Sequence, residues 1–288
     1  MSRRKRLIIP VFIPFGGCPN RCVFCDQESI TGGKAPPGAA DVVKTIEAYL
    51  STWKGAGRKE IAFYGGSFTA LERGAQLEYL ETARRYVVNG SVDGVRISTR
   101  PDCISRETLE YLREYKVDTV ELGVQSMSDE VLRLSGRGHG AEDTVFATTL
   151  LRGEGFKVGH QFMPGLPGDT VTSVLDTSRE IIRLAPDFAR VYPALVLRGT
   201  ALYRMYVGGN YTPWTLDEMV EVCATILGLF TRSRIPVIRM GLHGSDGLEK
   251  SLVCGPYHPS FRSLVDARIL KMHGGRDTMT LSACKSPD

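Results

Sequence analysis

Short apolar segments rich in β-forming residues alternate along this chain with longer segments of helical periodicity. The apolar segments span residues 7–13, 60–64, 94–98, 119–124, 157–163 and 188–195. The helical segments between them span residues 41–53, 75–88, 106–115, 142–154 and 171–184. Because strands that are apolar on both faces need helices on both sides, this alternation predicts a parallel α/β fold.

The number of units indicates which parallel architecture to expect. Six strand–helix units fit into about two thirds of the chain, whereas a complete eight-unit barrel takes ~250 residues. After residue 195 the rhythm changes to one long helix at 216–232, a possible strand at 237–240 and then irregular sequence. We therefore expect an incomplete (β/α)6 TIM-like barrel at residues 1–195, with a C-terminal extension at 196–288 packed on it. A doubly wound open sheet is the alternative.

Composition and charge exclude several protein classes. With 42% hydrophobic and 24% charged residues, the 288-residue chain is too apolar to be disordered. No run approaches 18 apolar residues, so we predict no membrane span. The net charge of +4 permits a nucleic-acid partner without arguing for one. Seven unevenly spaced cysteines do not form a disulfide framework. We expect a cytoplasmic protein, because Pro10 and Pro14 interrupt what would otherwise faintly resemble a lipoprotein signal.

Distinctive polar and glycine-rich motifs follow each of the first five predicted strands. In chain order they are CPNRCVFC, GGSF at 65–68, STRPD at 98–102, QS at 125–126 and PGLPGD at 164–169. In parallel α/β folds the reactive face lies at the carboxyl ends of the strands. The sequence therefore predicts one pocket built from these five loops.

Three cysteines form the most specific of these motifs. Cys18, Cys22 and Cys25 are separated by three and two residues, and closely spaced thiolates select zinc, copper(I) or an iron–sulfur cluster. Zinc sites usually have four protein ligands, and the chain has no second cysteine pair. Three thiolates on an iron–sulfur cluster would leave one iron open for a substrate or cofactor. A zinc site completed by a distant His or Cys remains the alternative.

The motifs together resemble a known family. CPNRCVFC is similar to the cysteine signature of radical S-adenosylmethionine (SAM) enzymes. FYGGSFTAL, ISTRPD, VELGVQS, RGHGAEDT, MPGLPGDT and VYPALVLRGTALY follow in the order found in the radical SAM domain of the Elongator catalytic subunit and its bacterial relatives. The resemblance covers residues 7–240. It implies that Cys18, Cys22 and Cys25 hold a [4Fe–4S] cluster that cleaves SAM reductively, giving a 5′-deoxyadenosyl radical for hydrogen abstraction.

The same resemblance implies which residues contact SAM. Phe24 would lie near the adenine, Arg100 at the carboxylate and Gln125 at the ribose. The remaining cofactor-binding positions are Gly65, Gly66 and Ser67 at the amino group, Met163, Gly165 and Leu166 on the adenine side, and Ser98. From the residues alone, Gly65 and Gly66 could form only a tight turn, Arg100 a surface ion pair, and Gln125 part of the barrel rim.

Substrate and partners are implied by the resemblance alone. They are tRNA and an electron donor of the flavodoxin or ferredoxin type; the oligomeric state is not predicted. We expect the acetyltransferase domain of the Elongator subunit to be absent, because only 48 residues follow residue 240. The alternatives are a radical SAM enzyme acting on a small molecule, similar to coproporphyrinogen oxidase, and a non-catalytic metal-binding RNA-binding protein.

A few further residues are expected to have structural positions and no role in the pocket. We expect His139 to be a solvated turn residue and Cys254 a buried, inert thiol; the alternative is that Cys254 reaches the pocket as a second thiol. Four tyrosines of the C-terminal part are expected in core or surface positions rather than stacked on a nucleobase: Tyr192, Tyr203, Tyr206 and Tyr211.

Overall fold

The main sheet of this protein has seven parallel strands. The computed structural model describes residues 6–14, 17–19, 21–25, 35–242 and 244–277, without the side chains of residues 273–277. The strands are β1 (Leu7–Ile13), β2 (Lys59–Gly65), β3 (Gly94–Thr99), β4 (Val117–Gln125), β5 (Lys157–Phe162), β6 (Phe188–Val191), β7 (Val196–Leu197), β8 (Val237–Met240) and β9 (Leu252–Cys254). The main sheet has the order β1-β2-β3-β4-β5-β6-β8, and β7 pairs with β9 in a separate antiparallel ribbon.

Helices follow the strands in the alternation expected from the sequence. They are α1 (Ala39–Thr52), α2 (Arg73–Val88), α3 (Arg106–Glu114), α4 (Asp129–Leu134), α5 (Ala141–Gly153), α6 (Val171–Arg183), α7 (Ala201–Val207), α8 (Leu216–Arg232), α9 (Asp246–Ser251) and α10 (Phe261–Asp277). The first six strands pair in chain order, whereas a doubly wound sheet reverses its order at a switch point. The incomplete TIM-like barrel is therefore confirmed and the doubly wound alternative is excluded.

The sheet curls so that distant strands meet across its inner face. Arg190 on β6 donates from Nη2 to the Tyr64 hydroxyl on β2 at 3.2 Å, although three strands separate β2 from β6. Neighbouring residues along a strand point to opposite faces. Outward-facing side chains such as Ile61, Ile97 and Val120 are fully buried under the helices. The inner face carries polar residues instead, and we call the space it encloses the barrel interior.

The C-terminal part contains more structure than the sequence suggested. The predicted strand at 188–195 ends at Val191, because Pro193 lacks the N–H that would continue the ladder. The sequence after residue 240, which we expected to be irregular, forms α9, β9 and α10. α9 and β9 are too short to show periodicity, so the local signal is a cap, with Ser245 accepting from Leu248 N at 3.2 Å. No helix in the described part of the chain is long and apolar enough to span a membrane.

Candidate functional site

The cysteine loop lies directly against the loop that follows β2. Cys18 Sγ is 3.5 Å from Ser67 Oγ. Gly17 has a φ of +70°, and a Cβ there would lie 2.4 Å from both Ser67 O and Leu71 N. Only glycine permits such close approach in this left-handed conformation. Two motifs 49 residues apart in sequence are therefore packed backbone to backbone.

The second cysteine contacts a buried arginine that the sequence analysis did not assign. Arg137 Nη1 donates to Cys22 Sγ at 3.5 Å, and its Nη2 donates to Gly123 O at the end of β4 at 2.7 Å. A Cβ at Gly123 would lie 2.9 Å from Arg137 Nη2, so the guanidinium packs closely on this glycine. Arg137 thus joins the cysteine loop to the end of β4.

Main-chain hydrogen bonds hold the loop between two other elements. Val23 N donates to Ser135 O after α4 at 3.0 Å, and Leu202 N in α7 donates to Val23 O at 2.7 Å. Cys25 N donates to Cys22 O at 3.1 Å, closing a turn between the second and third cysteines. The C-terminal part of the chain therefore helps to position the cysteine loop.

The cysteine loop fits an iron–sulfur cluster better than a single metal ion. The three thiols lie on the cysteine loop, of which residues 17–19 and 21–25 are described, and Cys18 and Cys22 contact the polar side chains of Ser67 and Arg137. Within the described ranges no three His, Cys, Asp or Glu side chains converge closely enough to chelate one ion. A multi-iron cluster accommodates thiolates that are farther apart than the ligands of a single ion, and it suits this soft donor set.

Arg100 is a buried cation with one nitrogen to spare. It is 1% exposed, and its Nε and Nη2 donate to the two oxygens of Asp102 at 2.9 and 2.7 Å. Its buried Nη1 has no hydrogen-bond partner among the described residues. A buried donor without a partner is costly, and a ligand carboxylate would satisfy it. The interpretation of Arg100 as a surface ion pair is wrong, because the side chain is buried.

The loop after β2 is held open by its glycines. Gly65 has a φ of +110°, and a Cβ there would lie 2.6 Å from Ile13 O. Gly66 N donates to that same oxygen at 2.9 Å, which ties the ends of β1 and β2 together. A small hollow lies here, lined by Ile13, Phe63, Tyr64, Gly66, Phe68, Leu71 and Ser98. Two of the motifs named from the sequence, GGSF and STRPD, thus contribute residues to this hollow.

Gln125 ends β4 in a conformation that is unusual for a residue with a side chain. Its φ is +66°, at the point where the β4–β5 register shifts. Its amide pairs with that of Gln161 on β5, with N–O distances of 2.8 and 3.3 Å. Strained non-glycine residues cluster at ligand sites, which makes this position a candidate for ligand contact. Gln161 was missed by the sequence analysis, although it precedes the PGLPGD motif by only a few residues.

Phe24 packs with the loop that follows β5. Phe24 and Met163 contact the small apolar cluster of Val131, Leu166 and Ala194. The adjacent Gly165 has a φ of +86°, and its carbonyl accepts from the Tyr211 hydroxyl at 2.6 Å. An apolar surface of this kind suits the flat face of an adenine.

Asp169 fixes the shape of the loop after β5. Its Oδ2 accepts from Gly165 N and Leu166 N, each at 3.1 Å. Burial raises the pKa of Asp169 to about 6, although these hydrogen bonds and the one from Ser173 favour the charged form. Asp169 is therefore a structural residue of the candidate SAM site, which explains the PGLPGD motif without a catalytic role.

His139 is not the solvated turn residue that we expected. It is buried, and neither ring nitrogen has a partner of good hydrogen-bond geometry in the described part of the chain. Burial first, and then the charge of Arg137, lower the pKa of His139 to about 3. The prediction failed because a Gly-His-Gly sequence is typical of exposed turns, whereas this one folds inward beside Arg100 and Arg137.

The structure also places Cys254 and two of the tyrosines of the C-terminal part. Cys254 is half-buried in β9, and both it and Phe24 contact the cluster of Val196, Leu202 and Tyr211. Its thiol raises the pKa of Tyr206 by a hydrogen bond. Tyr211 is a core residue as expected, and Tyr206 lies at the surface.

A network of buried charges fills the lower barrel interior, and the sequence analysis did not identify it. Arg96 donates to Glu60 and to Glu121, each at 2.6 Å, and Arg190 Nη2 donates to Glu121 at 3.1 Å. Each of these charged residues lies within a strand segment that is otherwise largely apolar. A lone charge at that place in several successive strands is the signal that could have revealed a polar interior.

Comparison with known proteins agrees with this geometry. A sequence profile of the Radical SAM superfamily matches residues 12–181, and the Radical_SAM C-terminal domain matches residues 186–271. The chain is 29% identical over 260 residues to the tRNA uridine(34) acetyltransferase of Methanocaldococcus infernus, covering 75% of this chain and 48% of that protein. It is 34% identical over 139 residues to human Elongator complex protein 3, covering 47% and 25% of the two chains.

A solved structure supports the same relationship. The archaeal Elp3 of Methanocaldococcus infernus with an N-terminal deletion matches with a TM-score of 0.74 at 25% identity, covering 93% of this chain and 63% of that one. The chain spans about half the length of the tRNA uridine(34) acetyltransferases that it matches. The superfamily profile covers more than half of the chain. Some relatives of the chain are named Elongator complex protein 3. The chain therefore belongs to the radical SAM superfamily of enzymes, and its sequence is similar to that of Elongator complex protein 3.

Proposed function

We propose that this enzyme holds a [4Fe–4S] cluster on Cys18, Cys22 and Cys25 and uses it to cleave SAM in the modification of tRNA. The observation that best supports this proposal is the packing of the cysteine loop on the loop after β2, with Cys18 Sγ 3.5 Å from Ser67 Oγ. When bound, the cluster and SAM supply the radical that abstracts hydrogen. The chain supplies binding, orientation and exclusion of water.

SAM would be held by residues of the same site. The spare Nη1 of Arg100 is suited to the carboxylate, because a guanidinium binds a carboxylate through strong charge-assisted hydrogen bonds. Gly65, Gly66 and Ser67 would take the amino group, and Gln125 the ribose. Ser98 lines the hollow. The apolar cluster beside Phe24, with Met163, Gly165 and Leu166, would contact the adenine.

The tRNA substrate rests on the relatives. The archaeal relative is named a tRNA uridine(34) acetyltransferase. Residues 12–181 of this chain match the radical SAM profile. Because the match covers 48% of that relative, the proposal includes radical chemistry on tRNA and not acetyl transfer. A flavodoxin or ferredoxin would supply the electron, and a cytoplasmic location would suit both partners.

An anaerobic assay tests the radical chemistry first. The protein is reconstituted with iron and sulfide, SAM and dithionite are added, and 5′-deoxyadenosine is quantified by chromatography. We expect production that is lost on Cys22→Ala and retained on Cys223→Ala, since Cys223 is buried in α8, on an element that does not form the site. Zinc in place of iron, or a complete cluster in Cys22→Ala, would overturn the ligand assignment.

The substrate is tested separately. Bulk tRNA should increase 5′-deoxyadenosine formation and be retained by the protein in a salt-dependent manner, because phosphate contacts weaken as salt rises. An enzyme that cleaves SAM but neither binds nor responds to tRNA would point to a small-molecule substrate.

A further inference from the structure

Ion pairs connect the charges that fill the lower barrel interior. Three carboxylates pair with three guanidiniums in one connected network: Glu60, Asp118 and Glu121 with Arg58, Arg96 and Arg190. Burial favours the neutral form of Glu60, but Arg96 and Arg58 outweigh it and lower the pKa of this carboxyl. Lys157 also pairs with Asp118, at 3.7 Å, so each of the three carboxylates already has cations as partners.

Arg239 is a cation that does not belong to this ion-pair network. It lies on β8 in register with Arg190 on β6, so both side chains are on the inner face. Arg239 is half-buried, and its side chain makes no hydrogen bond or ion pair with any described residue. Burial lowers its pKa, and Arg190 lowers it further, although the nearby Tyr192 opposes this. An arginine held beside another arginine without a partner is stabilised when an anion binds to it.

The opposite edge of the same sheet presents an exposed aromatic ring. Phe12 on β1 is 50% exposed, although it lies in a strand and faces inward beside Tyr64, with ring centroids 6.3 Å apart. The guanidinium of Arg190 lies 5.6 Å from the centre of the Tyr64 ring. Phe12, Tyr64, Arg190 and Arg239 thus form one layer across the barrel interior, with an apolar face at the β1 edge and a spare positive charge at the β8 edge.

We propose that this layer binds a short single-stranded segment of the RNA substrate, with a backbone phosphate on Arg239 and a base stacked on Phe12. An arginine and an aromatic ring are the pair of groups that single-stranded RNA uses, since phosphates need cations and splayed bases need ring faces. β1 and β8 are the two edges of the main sheet, so the layer lies where the incomplete barrel is not closed. This inference rests on the proposed tRNA substrate.

Binding of an anticodon stem-loop RNA at several salt concentrations tests the phosphate contact. Arg239→Gln should weaken binding by about tenfold and lower the salt slope by about one, as loss of one phosphate contact does. Arg239→Lys should restore the slope. Arg106→Gln is the matched control, because Arg106 is an exposed arginine at the start of α3 in the outer helical layer. Because Arg239 has no partner to lose, its variants should keep the thermal stability of the parent.

A second experiment identifies the RNA phosphate that Arg239 contacts. Single methylphosphonates, which remove the charge of one phosphate, are placed in turn through the loop of the RNA. One position should weaken binding to the parent enzyme and have no further effect on Arg239→Gln. Additive losses at every position would show that Arg239 contacts no single phosphate, and would overturn the proposal.

The base contact has its own control. Phe12→Leu should weaken RNA binding about tenfold through loss of stacking, whereas Phe146→Leu, at an exposed phenylalanine on α5, should not. If the parent binds RNA and both Arg239→Gln and Phe12→Leu behave like their controls, this layer is not the RNA site, and the tRNA proposal stands. If the parent cleaves SAM but binds no RNA, the tRNA proposal itself fails and this inference fails with it.

Discussion

Arg137 and Cys22 lie 115 residues apart in sequence, yet the arginine Nη1 is 3.5 Å from the cysteine sulfur. The guanidinium is buried, and its other contact is the carbonyl of Gly123 at the end of β4. Arg137 thus connects the cysteine loop to the barrel. Because a buried cation favours negative charge nearby, this contact would also affect any cluster that the loop holds.

Replacing Arg137 should therefore make the cluster harder to reduce. Arg137→Met removes both the charge and the hydrogen bond to Cys22, so the reduction potential should become more negative, by on the order of tens of millivolts. Redox titration of the reconstituted enzyme, followed by electron paramagnetic resonance, measures this. Arg133→Met, at an exposed pair with Glu130, should leave the potential unchanged. An unchanged potential in Arg137→Met would show that the arginine only supports the fold.

The buried charge network predicts a strong effect on stability. Arg96→Met leaves Glu60 and Glu121 with fewer partners inside the barrel, and removing one member of a buried ion pair costs about 3–5 kcal/mol. Arg58 and Arg190 still contact these carboxylates, which places the expected loss at the lower end. Arg179→Met, at an exposed pair with Asp176, should change the free energy of unfolding by less than about 1 kcal/mol. Urea unfolding of the two variants decides between these expectations.

The fold was predictable because its signal is local. Alternating apolar strands and amphipathic helices identified the barrel, and the strand at 237–240 that closes the order β6-β8 was anticipated as well. The short α9 and β9 carry no such periodicity and were missed. The site was predictable only in part, since motif order shows which loops meet but not which side chains complete them.

The missed residues share a physical reason. Arg137 was visible as the first residue of the RGHG motif, but its partner Cys22 is set by tertiary packing, which spacing does not reveal. Arg96 and Glu121 each stand alone in an apolar strand, where a single charge is easily assigned to a strand edge. Only the curl of the sheet brings them together. Arg239 follows the same rule, because its lack of a partner is a property of the folded chain.

Gly65 allows a test of the loop after β2 with a close internal control. Gly65→Ala would force a Cβ to 2.6 Å from Ile13 O at a φ of +110°, so the loop and the hollow beside it must shift. Gly90→Ala also occurs at positive φ, +76°, but nothing lies within 4 Å of its Cβ. Gly90→Ala should cost about 1–2 kcal/mol, the ordinary penalty of that conformation. Gly65→Ala should cost more and should also weaken SAM binding, as measured by calorimetry. Equal effects in the two variants would show that the loop tolerates the added methyl group.

His160 predicts how stability depends on pH. The side chain is buried in β5, with Nε2 2.8 Å from Thr148 Oγ1, and burial, aided by the charge of Arg152, lowers its pKa to about 3. The folded protein keeps this histidine neutral, whereas the unfolded chain takes up a proton below about pH 6.5.

The unfolded state therefore binds more protons as the pH falls, and stability decreases below pH 6.5, by up to about 1.4 kcal/mol per pH unit from this one group. His160→Gln retains a polar partner for Thr148 but cannot titrate. Urea unfolding at pH 7, 6 and 5 should show a shallower loss of stability in this variant than in the parent. Both proteins carry the same cysteines, so a cluster contributes equally to each. Parallel curves would mean that His160 is protonated in the folded state, and that the site around Thr148 is more polar than its burial indicates.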